Sequence, residues 1–290
     1  MRFTKMQGCG NDYIYINCFE EQVDDPSSLA VRLSDRHYGI GGDGLILIEP
    51  SARADAYMHM FNLDGSEGSM CGNGIRCVAK YIYDNGIIPE DRRHAVIDTK
   101  AGLREVSFDV EDGCVTSVTV DMGKPKLVSV GPESLNLCGA ELIFTAVDIG
   151  NPHAVFFLED NPQLGDTFCD SNDLIAASYE RSLLQFIDIK RIGDILARER
   201  FPDGVNSEFI SISSRGEIFF RVWERGSGET LACGTGAAAS VFAGIMADKI
   251  DDEVLVHLAG GDLLIRYDRA TGKCFMTGPA EDVFTGYIGV

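Results

Sequence analysis

The chain has 290 residues, of which 45% are apolar, and it carries a formal net charge of −20 at pH 7. This length fits one large domain or two of ordinary size, and the negative charge argues against nucleic acid and anionic membranes as partners. No apolar run is long enough to span a bilayer, and the amino-terminal segment lacks the apolar stretch of a signal peptide. A cytoplasmic protein with reduced cysteines is therefore expected.

The first half of the chain combines short strand signals with one helix signal. Apolar runs bounded by glycine, aspartate and asparagine predict strands at 13–16, 45–48 and 115–120. A helix is predicted directly after Cys71 and should end near Asn85-Gly86, a pair that is typical of helix C-caps. The apolar residues of this helix lie on one face, namely Ile75, Val78, Ala79 and Ile82.

The second half shows the same kinds of signal. The stretch Asn172–Arg200 is predicted to be helical, with a stop at Pro202, and another helix is predicted directly after Cys233. The apolar face of this last helix consists of Ala238, Val241, Phe242 and Ile245. Strands are predicted at Ala154–Leu158, Phe209–Ile212, Ile218–Val222, Val254–Leu258, Leu263–Tyr267 and around Phe284–Ile288.

Several markers occur twice in the same order, which indicates an internal duplication. The most specific is a Cys-Gly-x-Gly segment, Cys71–Gly74, which recurs as Cys233–Gly236. A Gly-Asn pair, an arginine, a polar residue and a glutamate precede each copy at similar spacings. These paired markers are Gly10-Asn11 and Gly150-Asn151, Arg36 and Arg200, Asn62 and Glu224, and Glu67 and Glu229. The period is too long for a solenoid, so it predicts two pseudo-equivalent domains.

The sequence thus predicts an α/β (α+β) fold with two pseudo-symmetric domains. The boundary is expected near Asp121–Pro125, and the last strand is expected to return to the first domain because the duplicated unit is complete before it. The first domain is residues 1–121 plus about 278–290 and carries Cys71. The second is residues 122–277 and carries Cys233.

The two duplicated cysteines suit proton transfer. A cysteine just before a helix lies among unpaired backbone N–H groups at the positive end of the helix dipole, a setting that favours the thiolate and lowers the thiol pKa. The neighbouring glycines let backbone amides approach a carboxylate. If Cys71 and Cys233 face each other across the cleft between the domains, a thiolate and a thiol meet opposite faces of a substrate α-carbon. Such an arrangement would invert that carbon.

Other readings of these residues are simpler. A lone cysteine is more often a small buried hydrophobe, and this interpretation is preferred for Cys9, Cys18, Cys77, Cys114, Cys138, Cys169 and Cys274. Glu67 and Glu229 are interpreted as capping or turn groups, because carboxylates commonly bind amides at helix starts. His153 is either an ordinary turn histidine or a group that tunes the pKa of a cysteine. The sequence contains no pair spaced as Cys-x-x-Cys, and no Cys/His cluster in it resembles a zinc site.

The sequence resembles the diaminopimelate epimerase family over residues 3 to about 288. The matching segments are Gly8–Asp12, Phe61–Glu67, Met70–Cys77, Gly150–His153 and Glu224–Gly236. The resemblance implies two α/β domains, each a curved, mostly antiparallel sheet wrapped around a central helix. It implies interconversion of LL- and meso-2,6-diaminopimelate on the route to lysine and peptidoglycan. It also implies a homodimer and the use of neither pyridoxal phosphate nor a metal.

The resemblance assigns roles to individual residues. Cys71 and Cys233 are the acid and the base, and His153 and Glu224 adjust the pKa values of the thiols. The α-carboxylate is held by Gly72, Asn73, Gly234 and Thr235. The rest of the substrate is held by Asn11, Asn62, Asn151, Asn206, Glu224 and Arg225. Arginine suits the distal carboxylate because its guanidinium can make two parallel hydrogen bonds.

The sequence departs from the family at three places, and alternatives stay open. Gly44 stands where many members have glutamine, Ser207 stands where an apolar residue is usual, and 160–189 looks longer than usual. One alternative is a racemase of another amino acid, such as histidine or proline, on the same fold. The residues that the resemblance assigns to the distal carboxylate favour diaminopimelate, namely Asn62, Asn151, Asn206 and Arg225. Another alternative is a non-catalytic amino-acid-binding protein, against which the retention of both thiols argues. A thiol redox protein would need the absent Cys-x-x-Cys pair.

Overall fold

A computed structural model describes residues 1–169 and 180–289. Most of the regular structure is β-strand. The strands are β1 (Arg2–Gly8), β2 (Asn11–Asn17), β3 (Gly44–Glu49), β4 (Ala56–Asn62), β5 (His94–Thr99), β6 (Arg104–Glu111), β7 (Cys114–Gly123), β8 (Lys126–Leu127), β9 (Glu133–Leu137), β10 (Ala140–Asp148), β11 (Pro152–Phe157), β12 (Asn206–Ser214), β13 (Glu217–Glu224), β14 (Gly228–Glu229), β15 (Glu253–Leu258), β16 (Gly261–Asp268), β17 (Lys273–Gly278) and β18 (Glu281–Tyr287).

The helices are fewer, and two of them have equal length. They are α1 (Pro26–Ser34), α2 (Gly72–Asp84), α3 (Leu164–Phe168), α4 (Glu180–Phe186), α5 (Ile189–Glu199) and α6 (Gly234–Met246), with one 3-10 turn at Leu158–Asp160. Both α2 and α6 have 13 residues, and each follows one of the duplicated cysteines. No helix among the described residues is both long enough and apolar enough to cross a membrane.

The chain divides into two compact units. The first consists of Met1–Asp121 and Thr277–Val290, and the second of Met122–Met276. Within the first unit, β18 pairs antiparallel with β1. That pairing joins the end of the chain to its beginning, and the backbone N–H of Ile288 donates to the carbonyl of Met1 at 2.9 Å.

The order of parallel and antiparallel pairings is the same in both units. In the first unit β1/β2 is antiparallel, β2/β3 parallel, β3/β4 antiparallel, β4/β5 parallel and β5/β6 antiparallel. In the second unit β10, β11, β12, β13, β15 and β16 repeat this series of directions. The duplication predicted from the sequence is therefore present in the fold, and the sheet pairings are mostly antiparallel.

Each unit packs its sheet around one long helix. In the first unit α2 packs against β1, β2, β4, β5 and β6, and its residues from Gly72 to Tyr83 are buried. In the second unit α6 packs against β10, β11, β12 and β16. The chain leaves α2 as predicted at Asn85, and Gly86 adopts a φ of 68°, a left-handed conformation that glycine takes without strain.

Most predicted elements are confirmed, with a correction in the region before β12. Every strand predicted from apolar runs is present, although β18 begins earlier and ends one residue sooner than predicted. In place of a continuous helix, the described part of 172–200 holds α4 and α5, and residues 170–179 of the predicted stretch lie outside the described residues. The break occurs because Asp188 caps α5, its carboxylate accepting from the backbone N–H of Arg191 at 3.0 Å.

Candidate active site

In the first unit the sulfur of Cys71 occupies the N-cap position of α2. The Cys71 backbone is extended, with φ −130° and ψ 119°, so the helix begins at the next residue. Its Sγ accepts a hydrogen bond from the backbone N–H of Gly74 at 3.3 Å, the contact that a serine or aspartate oxygen makes in an ordinary cap. The thiol therefore lies against the N–H groups that the helix itself leaves unpaired.

Asn11 connects this thiol to a group of charged residues. The Cys71 Sγ lies 3.2 Å from Asn11 Oδ1, as the donor of that hydrogen bond. On its other side Asn11 Nδ2 donates to Asp43 Oδ2 at 2.7 Å. The other oxygen of Asp43 accepts from Arg36 Nη2 at 3.1 Å, and Arg36 also pairs with Asp12. The structure thus brings the predicted residues Asn11 and Cys71 into direct contact.

A fully buried arginine holds the first turn of α2. Arg76 has no exposed surface, and its Nη1 donates to Asn73 Oδ1 at 3.0 Å and to the carbonyl of Gly72 at 3.4 Å. Its Nε donates to the carbonyl of Pro279 at 3.0 Å. The buried guanidinium of Arg76 therefore holds Gly72 and Asn73, the two residues predicted to bind the α-carboxylate, in place.

In the second unit Cys233 repeats the cap of Cys71 at the start of α6. Its backbone is extended, with φ −125° and ψ 106°, and its Sγ accepts from the backbone N–H of Gly236 at 3.4 Å. The hydroxyl of Thr235 lies 3.5 Å from the same sulfur. Cys233 is only 5% exposed, whereas Cys71 is partly exposed.

The expectation that a helix start lowers the thiol pKa is wrong for Cys233. Burial, followed by the nearby charges of Glu224 and Glu208, raises the pKa of Cys233 well above its usual value. Hydrogen bonds from Thr235 and the backbone of Gly236 act in the opposite direction and do not outweigh these causes. At neutral pH the proton therefore stays on this sulfur unless a neighbouring group accepts it.

Glu224 is the group placed to accept that proton. Its carboxylate hydrogen-bonds the Cys233 thiol and accepts a hydrogen bond from the Thr230 hydroxyl. Burial raises the pKa of Glu224 despite these two hydrogen bonds. Glu224 is therefore a stronger base than an exposed carboxylate, which brings its pKa closer to that of a thiol. The structure therefore places Glu224 beside the cysteine that it is predicted to modulate.

His153 lies at the centre of a chain of hydrogen bonds that reaches Cys233. Its Nδ1 is 2.6 Å from Glu208 Oε1, and both side chains are fully buried. Its Nε2 is 3.0 Å from Asn151 Oδ1, and Asn151 Nδ2 donates to Thr235 Oγ1 at 3.4 Å. His153 belongs to strand β11 rather than to a turn, so the turn interpretation is wrong.

Of the remaining predicted residues, Asn206 and Arg225 form a second group, and Asn62 belongs to the first unit, where it is the register partner of Gly44. The side-chain oxygen of Asn206 accepts from the backbone N–H of Arg225 at 2.9 Å, and Arg225 Nη1 donates to the carbonyl of Asp203. Asn206 is the register partner of His153 across β11 and β12, which connects this group to the His153 chain. Asn62 lies at the end of β4, where its amide donates to Ser66 Oγ at 2.9 Å.

Two expectations about surrounding residues are corrected. Glu67 pairs with Lys100 and Glu229 with Arg221, so neither carboxylate caps the helix that follows, since the cysteine sulfurs do so. Among the cysteines expected to be buried, Cys114 and Cys138 are exposed. Cys18 and Cys169 are partly buried, and Cys9, Cys77 and Cys274 are buried as expected. All nine lie in the described residues, and no disulfide joins them.

The departures from the family pattern have structural counterparts. A Cβ at Gly44 would come within 2.1 Å of the carbonyl oxygen of Phe61, so the local backbone admits no side chain there. Ser207 is fully buried on β12, as the usual apolar residue at this position would be. Neither change touches the two cysteine caps.

Three residues of the site, Asp43, Arg76 and Glu208, were not predicted from the sequence. Glu208 carried a usable signal, because it interrupts the apolar strand β12 two residues after Asn206 and so faces the same side of the sheet. Arg76 follows Cys71 by five residues within a helix whose buried face it shares, which was another usable signal. Within the described residues, no three His, Cys, Asp or Glu side chains cluster so as to hold a metal ion.

Comparisons with known proteins identify the family. The family model described as diaminopimelate epimerase matches residues 3–128 and 145–283. A diaminopimelate epimerase from Agathobacter rectalis is 44% identical over 309 residues, covering 100% of both chains. One from Geobacillus thermodenitrificans is 45% identical over 301 residues, covering 98% of this chain and 95% of its own.

Solved structures with low sequence identity share the fold. A probable proline racemase from Agrobacterium radiobacter superposes with a TM-score of 0.69 at 16% identity, covering 100% of this chain and 93% of that chain. A hydroxyproline epimerase from Agrobacterium vitis has a TM-score of 0.66 at 18% identity, covering 99% and 91%. With the family model and the relatives matching almost the whole chain, the chain belongs to the diaminopimelate epimerase family.

Proposed function

We propose that the chain is an isomerase that interconverts LL- and meso-2,6-diaminopimelate by two-base proton transfer at the α-carbon, with Cys71 and Cys233 as the two proton carriers. The observation that carries the proposal is the repeated cap, in which each sulfur begins a helix of 13 residues and accepts the N–H three residues on. A single such cysteine would suit a nucleophile. Two copies suit a reaction in which acid and base exchange roles between the forward and reverse directions.

In the proposed reaction the two sulfurs exchange protons directly with the α-carbon. One sulfur, as thiolate, takes the α-hydrogen as a proton, and the C–H electron pair passes to the α-carbon and its carboxylate. The other sulfur, as thiol, gives its proton to the opposite face of that carbon, which completes the inversion. The two sulfurs have then exchanged their protonation states. This scheme requires both thiols to reach the same α-carbon from opposite faces.

The helix starts would stabilise the charge that forms during the reaction. Gly72 and Asn73 at α2, with Gly234 and Thr235 at α6, are proposed to bind the α-carboxylate through backbone N–H groups and side chains. Arg76 adds a buried positive charge directly behind the first of these pairs. Negative charge that moves onto the carboxylate as the proton leaves would therefore be held by donors already in position.

The other predicted residues would hold the distal end of the substrate and adjust the thiols. Arg225 and the amides of Asn11, Asn62, Asn151 and Asn206 suit an end that carries both a carboxylate and an ammonium group. Glu224 would take the proton of Cys233 before each turnover in which that sulfur acts as the base, and His153 would act on the thiol through Asn151 and Thr235.

Several coarser features complete the proposal. Residues 1–121 with about 278–290, and residues 122–277, are proposed as two epimerase domains with one cysteine each. A cytoplasmic location suits the chemistry, because thiols stay reduced there, and the product would serve lysine and peptidoglycan synthesis. We propose that the protein is a homodimer whose partner in the reaction is the small-molecule substrate alone.

Turnover in D2O tests the two-thiol reaction. Reduced protein incubated with LL-diaminopimelate should give meso product that carries deuterium at the inverted carbon, while early recovered substrate stays protonated. Cys71→Ala and Cys233→Ala should each abolish epimerisation, since each removes one proton carrier. Cys114→Ala, at an exposed cysteine, is the matched control and should keep full activity. Near-full activity in either Cys71→Ala or Cys233→Ala, or equal deuteration of early substrate and product, would overturn the proposal.

A further inference from the structure

The amide of Asn11 is held in one orientation by a residue that does not touch the thiol. A carboxylate can only accept hydrogen bonds when it is ionised, so Asp43 Oδ2 must face the amide nitrogen of Asn11, which it meets at 2.7 Å. The same oxygen accepts from the backbone N–H of Asp12 at 3.2 Å, and Arg36 holds the other oxygen. With its nitrogen turned to Asp43, Asn11 presents its oxygen to Cys71 at 3.2 Å.

The corresponding asparagine of the second unit is held the opposite way. Asn151 has its oxygen on His153 Nε2 and its nitrogen on the hydroxyl of Thr235. Its oxygen is thus engaged by the histidine, and Cys233 instead has the carboxylate of Glu224 as its acceptor. The two thiols therefore differ in what receives their hydrogen, a neutral amide oxygen in one unit and a carboxylate in the other.

We propose that Asp43 is a positioning residue that fixes the Asn11 amide so that its carbonyl oxygen accepts the thiol hydrogen of Cys71. This role rests on the proposed function of Cys71 as a proton carrier. A hydrogen bond accepted from S–H stabilises the thiol form. Without Asp43 the amide can turn its N–H toward the sulfur, which stabilises the thiolate instead. Asp43 therefore keeps Cys71 ready as the proton donor.

Other charged or titratable groups near this pair must be held constant in a test. Arg36 and Asp12 surround Asp43, and Lys5 pairs with Asp12 from β1. Tyr15 from β2 and Cys77 from α2 lie within electrostatic range of the Cys71 sulfur. Replacing Asp43 removes a negative charge as well as a hydrogen-bond acceptor, so two variants are needed to separate the two effects.

The matched pair is Asp43→Asn and Asp43→Ala. Asparagine removes the charge but keeps an oxygen that can accept from Asn11 and from the backbone of Asp12, whereas alanine removes both. The rate at which iodoacetamide modifies Cys71 is measured by peptide mass spectrometry across pH 6–10, with the exposed Cys114 as internal reference. At pH 7.5 we expect Asp43→Ala to raise the Cys71 rate about 3- to 10-fold, the effect of one hydrogen bond, and Asp43→Asn to stay within about 2-fold of the parent.

The outcomes separate this role from simpler ones. Equal increases in both variants would mean that only the charge acts, and unchanged rates in both would mean that Asp43 does not orient Asn11. Either result overturns the proposal. If Asp43→Ala fails to fold, Asn11→Ala, which removes the acceptor and leaves Asp43 in place, must raise the Cys71 rate relative to Asp43→Asn, and an unchanged rate refutes the role. The measurement uses no substrate, so its failure is distinct from a failure to epimerise diaminopimelate.

Discussion

The clearest structural prediction concerns Gly236, in the first turn of α6. A Cβ at this position would lie 2.8 Å from Glu208 Oε1, 3.1 Å from Phe220 Cζ and 3.2 Å from Cys233 Sγ. None of these atoms can retreat easily, because Glu208 is buried and held by His153, and the phenylalanine ring is rigid. Gly236→Ala should therefore push the sulfur, the carboxylate or the start of the helix out of place.

The magnitude follows from two opposing effects. Overpacking a well-filled core costs about 1–3 kcal/mol, and replacing a helical glycine with alanine returns about 0.5–1 kcal/mol. We expect Gly236→Ala to lower the free energy of unfolding by about 1–2 kcal/mol, measured by urea denaturation. Displacing Cys233 by about half an ångström should lower kcat/KM for LL-diaminopimelate roughly 10-fold or more, because misplacement by about 1 Å can cost 100-fold.

The duplication supplies the matched control, Gly74→Ala in α2. There a Cβ would meet Ile46 Cδ1 at 2.8 Å and Met58 Cε at 3.2 Å, both of which are ends of flexible side chains that can move aside. The cost should nearly cancel the helical gain, so we expect a change in unfolding free energy within about 1 kcal/mol and a smaller loss of activity. If Gly74→Ala is the more damaging change, or if Gly236→Ala matches the parent in both measurements, the close contacts at Gly236 do not hold Cys233 in place.

Three further changes test individual side chains. Arg225→Lys should lower kcat/KM for diaminopimelate at least about 10-fold, because a point charge replaces a two-pronged contact, and unchanged steady-state kinetics would remove Arg225 from the distal site. Glu208→Gln should lower the free energy of unfolding by about 1.5–3 kcal/mol, because it replaces the carboxylate that is hydrogen-bonded to His153 and this is the range for a hydrogen bond to a charged group. An unchanged urea midpoint would contradict this. Glu224→Gln should shift alkylation of Cys233 to lower pH, because that carboxylate helps to raise the pKa of the thiol, so the thiolate forms sooner as pH rises. A profile that stays in place would mean that burial and Glu208 raise this pKa without a contribution from Glu224.

The parts of the fold that follow local rules could be predicted from the sequence. The helices after Cys71 and Cys233 carry their start signal, apolar face and stop within one segment, and the strands carry compact apolar runs. The repeated markers predicted the repeated strand pairings. Cys114 and Cys138 are exposed because they lie at turns, which the general preference of lone cysteines for burial does not take into account. Cys114 comes directly after Gly113, which has φ 81°, and Cys138 itself has φ 54°.

The parts of the site that depend on distant residues could not be predicted. His153 and Glu208 are separated by 55 residues in the chain and meet only because β11 and β12 pair in parallel. The prediction of a low thiol pKa considered only the helix start, which is a local feature. Burial and two carboxylates from β12 and β13 reverse it at Cys233, and the position of neither carboxylate relative to the sulfur can be read from spacing.

The unequal surroundings of the two thiols suit the proposed substrate. In racemisation of a molecule with one stereocentre, the forward and reverse substrates are mirror images, so two equivalent half-sites would serve equally well. LL- and meso-diaminopimelate are not mirror images, because the distal stereocentre keeps its configuration while the other inverts. The two directions therefore present different molecules to Cys71 and Cys233, and nothing in the chemistry requires the half-sites to stay alike. Such a reaction permits a duplicated cap in which the two thiols have different hydrogen-bond acceptors. The acceptor is the amide of Asn11 in one unit and the carboxylate of Glu224 in the other.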